Sequence, residues 1–132
     1  MSHPVIVTDH GFAPDDWTGP DSAVLDLPPE TDPEALAARL GGVELVRVAF
    51  PSFADGRGFT LARRLREAGY RGRLRAVGHV LADQYAMARR AGFDEVEIPA
   101  DLAARQPEAH WLARADWRAH DYQSRLRGAS GV

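Results

Sequence analysis

The sequence predicts an α/β domain: a mostly parallel sheet of about four successive βα units, half-barrel-like or open three-layer, behind a small N-terminal β-hairpin. Three observations carry this. Two segments end alike, Ala68-Gly69-Tyr70 and Ala91-Gly92-Phe93, with their glycines 23 residues apart, and Gly41-Gly42 lies about one unit earlier. Glycine followed by an apolar residue is a helix stop with a hydrophobic contact beyond it. Short runs rich in Val and Leu separate these stops, and 132 residues suit one domain that buries roughly two thirds of its unfolded surface.

The elements follow in order. Pro4 to Ala13 reads as the hairpin, with Val5, Ile6 and Val7 favouring strand and Asp9-His10-Gly11 as turn chemistry. Asp15-Asp16-Trp17 enters a loop running to Gly19-Pro20. Its carboxylates are expected in solvent, with Trp17 as a plug over the core. Residues 1–20 thus form a hairpin and loop, 23–101 the βα core, and 102–132 a C-terminal helix and arm of the same domain. Ala23 to Leu27 is a short strand ended by Pro28-Pro29, because proline cannot donate to a ladder. Thr31 or Asp32 caps a helix from Pro33 to Leu40, and Gly41-Gly42 stops it.

Val43 to Phe50 is the strongest strand. Val46, Val48 and Phe50 share one face, and Val43, Leu45 and Ala49 lie on the other, so both faces are expected to be largely buried. Arg47 interrupts the second set and marks an edge or a site. A helix is expected from about Phe59 to Ala68, with Leu61, Leu65 and Ala68 at i, i+4 and i+7. Arg73 to Gly78 is a strand in which Leu74, Ala76 and Gly78 alternate with Arg73, Arg75 and Val77. Val80 to Ala91 is a helix with Leu81, Tyr85, Met87 and Ala88 toward the core, and Asp94 to Pro99 is the last strand. Beyond it, Trp111, Leu112 and Ala115 pack one more helix, Trp117 to Arg127 forms a docked arm or tail, and the final Gly-Ala-Ser-Gly-Val frays.

Right-handed crossovers place every βα loop at one edge, where α/β proteins bind ligands. Those loops are residues 28–32, 51–58, 78–79 and 99–101. An incomplete run of βα units also allows pairing with a second copy, so a homodimer is one expectation.

Composition excludes several chemistries. There is no cysteine, hence no disulfide, thiol nucleophile, thiolate zinc site or cysteine-ligated iron–sulfur cluster. All 16 basic residues are arginine, which removes a Schiff-base lysine and the lysine of a phosphate-binding P-loop. No apolar run reaches membrane-spanning length and no basic-then-apolar leader is visible, so no membrane contact and a cytoplasmic location are expected. The net charge of −3 conceals an asymmetry. Residues 1–56 carry ten acids and two arginines, residues 57–93 nine arginines and two acids, and residues 94–132 seven acids and five arginines. The basic middle can attract an anion or an acidic protein. An acidic chain without basic–aromatic alternation argues against nucleic acid.

The turn Asp55-Gly56-Arg57-Gly58 ahead of a helix is the first candidate site. As a dinucleotide fingerprint it fails, since Leu61 stands at the third glycine position. Two readings stay open. Asp55 and the glycines make a capped turn, or the helix N–H groups with Arg57, and Arg64 further along, bind an anion or a partner. His79 lies between a strand and a helix, with Asp83 one turn on, and these two are weak catalytic candidates. His110 and His120 show no metal-binding spacing, so no metal site is expected.

Four elements together resemble a known family. They are F-x-x-F-x-D-G-R-G-F (Phe50 to Phe59), G-Y-R-G-x-L-R-A-V-G (Gly69 to Gly78), V-L-x-D-Q (Val80 to Gln84) and R-x-G-F-D (Arg90 to Asp94). The chain is similar to a bacterial domain family of unknown function, encoded beside assimilatory sulfite reductase and commonly labelled an oxidoreductase of sulfite reduction. Asp16-Trp17 also looks like that family's N-terminal region, and His79 stands where the family commonly has aspartate. The resemblance implies a role in sulfur assimilation, with sulfite reductase or another protein of that process as partner and an oxyanion as possible ligand. No cofactor is implied, because the chain lacks cysteine and any flavin or nicotinamide fingerprint. An accessory role fits better than the reductase itself. The alternative is a small enzyme acting on an anionic sulfur compound at the βα-loop edge.

Overall fold

A computed structural model describes residues 3–118; most of the expected C-terminal arm and the final Gly-Ala-Ser-Gly-Val lie outside that range. The six strands are β1 (Val5–Thr8), β2 (Gly11–Ala13), β3 (Val24–Leu27), β4 (Leu45–Phe50), β5 (Arg73–Gly78) and β6 (Glu95–Ile98). The α-helices are α1 (Pro33–Leu36), α2 (Arg57–Glu67), α3 (Tyr85–Ala91), α4 (Ala100–Arg105) and α5 (Glu108–Leu112). The strands form a single sheet in the order β2-β1-β6-β5-β4-β3. β3, β4, β5 and β6 run parallel. β1 runs antiparallel to both β2 and β6. The hairpin therefore does not stand apart; it extends the sheet.

Parallel strands in sequential order, joined by crossovers of one hand, put all the βα helices on one face. Here α2 and α3 pack on the face of the sheet that carries the apolar strand positions. Val46, Val48, Phe50, Leu74, Ala76, Val96 and Ile98 point into the core that Leu61, Leu65, Tyr85 and Ala88 close from the helices. Each fully buried leucine there contributes roughly 2 kcal/mol.

The helix ends follow the glycine signals. Gly69 and Gly92 have φ of 98° and 118°. Tyr70 N–H reaches back to Leu65 O at 3.0 Å, and Phe93 N–H to Ala88 O at 3.0 Å. Both following aromatics are buried, as the paired motif requires.

Several expected boundaries shift. β4 begins at Leu45, and its second face is covered only in part: Leu45 is buried, Arg47 half-buried and Ala49 exposed. α2 starts at Arg57, since Gly58 lets the helix lie directly against the Phe50 ring. The α1 segment tightens into a 3₁₀ turn at 37–39. Asp32 is the residue that caps it, accepting the Glu34 N–H at 3.0 Å. Val80 and Leu81 are not helical; a 3₁₀ turn at 82–84 precedes α3. Met87 and Leu112, both expected to pack inward, are 44% and 43% exposed, and Leu102 and Trp111 anchor the C-terminal segment in the core. Among the described residues no helix is long and apolar enough to cross a membrane.

Candidate functional site

At the strand C-terminal edge, the β4–α2 turn closes on itself. One Asp55 carboxylate oxygen accepts the Arg57 N–H at 3.1 Å and Arg57 Nε at 3.0 Å; the other accepts Arg57 Nη2 at 2.7 Å. The side-chain bond from Arg57, then its backbone N–H, hold the Asp55 carboxyl down at about 2. Asp55 thus takes the first free N–H of α2 and the fork of Arg57 together. Gly56 is the cap residue with open space where a side chain would be, whereas a Cβ on Gly58 would collide with the Phe50 ring. Arg57 lines a cleft of about 410 Å³ with Glu30, Thr31 and Thr60. Arg64 lies farther along α2, in a separate cleft with Asp32 and Glu67.

The neighbouring β5–α3 loop carries His79. Its N–H and its Nδ1 both meet Phe50 O, at 2.9 and 3.1 Å. A carbonyl only accepts, so Nδ1 carries a proton and Nε2 is left to solvent. Phe53 packs edge-on to this ring at 5.2 Å. Gln84 ties the two loops, accepting from Leu81 N–H and donating to Phe53 O. Asp83 instead bonds Arg114 at 2.8 Å and is exposed. The structure brings Asp55 to Arg57 and His79 to the Phe50 carbonyl, and it turns Asp83 toward the C-terminal segment.

A larger constellation occupies the helix-free face of the sheet. Arg47 bonds Asp26 at 2.6 Å and Glu97 at 2.9 Å. Arg75, 1% exposed, bonds Glu95 at 2.6 Å, Glu97 at 2.9 Å and both Asp15 oxygens at 3.1 Å. Arg73 bonds Glu95 at 2.8 Å and Asp16. The Asp15-Asp16 pair stays exposed in a loop, as expected, but its carboxylates are engaged rather than free. It crosses the sheet and pairs with two arginines from β5, because the chain must pass over this face between β2 and β3. Burial opposes the Arg75 charge, but Asp15, Glu95 and Glu97 outweigh it and raise its pKa. The hydrogen bonds from Arg75 and Arg73 lower the carboxyls of Asp15 and Asp16. The sequence does carry a signal for this face: Arg47, Arg73/Arg75 and Glu95/Glu97 all occupy the strand positions opposite the apolar set. Read across three strands, that alternation describes one charged surface.

A second polar cluster holds the hairpin. Asp9 accepts from the Tyr85 hydroxyl, from Arg89 and from Trp117 Nε1. Burial pushes its carboxyl up, but the Tyr85 and Arg89 contacts bring it below the ordinary value.

These pairings consume much of the basic middle. Arg66 is committed to the carbonyls of Tyr70, Gly72 and Gly92, besides Asp94. Among the described residues, Arg63, Arg64, Arg71 and Arg90 have no carboxylate within ion-pair distance, and all four are exposed. No group of three or more His, Asp or Glu suited to a metal occurs among the described residues.

No curated protein and no solved structure matches the chain. A family model does match, over residues 24–132, beginning with β3 and so after the hairpin and the acidic loop. The chain belongs to that family, the bacterial proteins of unknown function DUF934.

Proposed function

We propose that this protein is an accessory component of assimilatory sulfite reduction that docks an acidic partner through the outer face of α2 and α3. The resemblance of residues 50–101 to the sulfite-reduction family supports the process. The observation that carries the docking reading is the set of exposed arginines without a carboxylate among the described residues, Arg63 and Arg64 on α2 and Arg90 on α3. Met87, 44% exposed on α3, adds an adaptable apolar contact to that face. Unpaired exposed charge steers association and makes it salt-dependent.

Co-purification with a sulfite reductase at low salt is the test. The expected result is retention at low ionic strength, loss at about 0.5 M salt, and loss when Arg63 and Arg64 are both replaced by glutamate. No association at any salt would remove the reading. Neutralising Arg57 should matter less, because Asp55 already pairs with it.

One observation favours a second reading, a small enzyme or oxyanion-binding protein at the βα-loop edge. His79 offers Nε2 to solvent beside the Arg57 turn, with its ring held by the Phe50 carbonyl. Sulfite, sulfate and phosphate should then raise the melting temperature of the native protein and not of the His79→Ala variant. Three flat titrations would count against it.

A further inference from the structure

The loop from Pro14 to Pro20 is a strap with little holding it. Among the described residues, no backbone–backbone hydrogen bond is made by positions 14 to 19. The polar ties to the rest of the chain are the carboxylates of Asp15 and Asp16, and the Trp17 Nε1 is buried without a partner. Beneath the strap, Glu95 and Glu97 on β6 grip the arginines from one side. Glu95 takes Arg73 Nε and Arg75 Nε, and Glu97 takes Arg75 Nη1. Arg75 Nη1, shared with Glu97, and Arg75 Nη2 form a fork that meets both oxygens of Asp15, and Arg73 Nη2 meets Asp16. Glutamates that orient a guanidinium fork toward a removable carboxylate are the elements of a pre-organised anion site.

We propose that Asp15 and Asp16 occupy a binding site for a small oxyanion, built from Arg75 and Arg73 on β5 and uncovered when the strap lifts. A compact anion with two oxygens to offer fits the Arg75 fork as the Asp15 carboxylate does. A long polyanion does not, because Glu95, Glu97 and Asp26 flank the arginines. Segments held by few contacts open locally at low cost, and here the anchors are exposed: Asp15 is 48% and Asp16 72% exposed. The strap and the ligand compete for the same donors, so the closed strap weakens apparent affinity. The site lies on the opposite face of the sheet from α2 and α3, and its failure would leave the docking reading untouched.

The experiment titrates purified full-length protein with inorganic phosphate, at ionic strength held constant with chloride. Two readouts are followed, calorimetric affinity and, by NMR, solvent exchange of the buried Trp17 indole N–H. In the native protein, phosphate should raise that exchange in a saturable way that chloride does not reproduce. Asp15→Asn with Asp16→Asn should bind phosphate about tenfold more tightly, since the competing carboxylates are gone. Adding Arg73→Gln to that background should abolish the gain. Equal affinity of the native protein and the double variant would overturn the proposal, as would a strap that ignores phosphate. Undiminished binding after loss of Arg73 would do the same.

Discussion

At the scale of single residues, Gly58 and Gly56 sit two positions apart and answer to different constraints. A Cβ at Gly58 would meet the Phe50 ring at 2.5 Å, and that ring is wedged between Phe59 and Phe93 at centroid distances of 4.9 and 5.7 Å. Alanine improves helix propensity by about 1 kcal/mol but overpacks the core by about 1–3 kcal/mol. Gly58→Ala should therefore destabilise by up to about 2 kcal/mol, while Gly56→Ala, with nothing within 4 Å, should be nearly neutral in urea unfolding. Arg75 is the other decisive residue. It is fully buried among Asp15, Glu95 and Glu97, and removing it leaves Glu95 to Arg73 and Glu97 to Arg47 alone. Arg75→Leu should cost about 1–3 kcal/mol, more than the same change at exposed Arg64. Similar losses at both positions would show that the sheet-face network contributes little.

At the scale of elements, the hairpin is secured at two ends. β1 pairs with β6, and the β1–β2 turn is pinned by Asp9 to Tyr85, Arg89 and Trp117. The Tyr85 hydroxyl is buried, its pKa raised by that burial and then by Asp9. Deleting the carboxylate leaves that hydroxyl without its acceptor and Arg89 with the Phe93 carbonyl. Asp9→Ala should cost about 1–3 kcal/mol. The loss should appear as faster hydrogen exchange in β1 and β2 with little change in α2. The glycine stops act at the same scale: they set where α2 and α3 end and which aromatic packs beneath each end. The strap is the opposite case, an element held by side chains alone, and its position depends on charges far away in the chain.

At the scale of the whole molecule, the charge asymmetry of the chain resolves into internal pairing. Acids from the first segment meet arginines from the second across the sheet, and among the described residues Arg63 and Arg64 on α2 and Arg90 on α3 are left without a carboxylate on the helical layer. Acid stability follows from this. Asp9, Asp15, Asp16 and Asp55 are all held below their ordinary value of 3.8 in the folded state. A depressed carboxyl lends stability that is fully present above its unfolded pKa and is lost as the pH falls through the folded one. Melting temperature should be insensitive to these groups above about pH 5 and fall below about pH 4. Asparagine at both Asp15 and Asp16 should make that fall shallower. A main loss of stability between about pH 7 and pH 5 would mean that histidine governs acid unfolding instead.

The parallel βα run, its helix stops, the hairpin and the position of the Asp55 turn were legible because each is written in neighbouring residues. Glycine conformation, proline punctuation and period-two alternation act over a few positions. Met87 misled because helix periodicity does not say where the helical layer ends. The one-sided sheet, the coverage of its charged face and the partners of Asp9, Asp15 and Asp16 were decided only by tertiary structure. Asp15 and Arg75 are 60 positions apart. Whether such a pair meets depends on strand order and crossover hand, which bring distant segments to one surface and leave no local trace in the sequence.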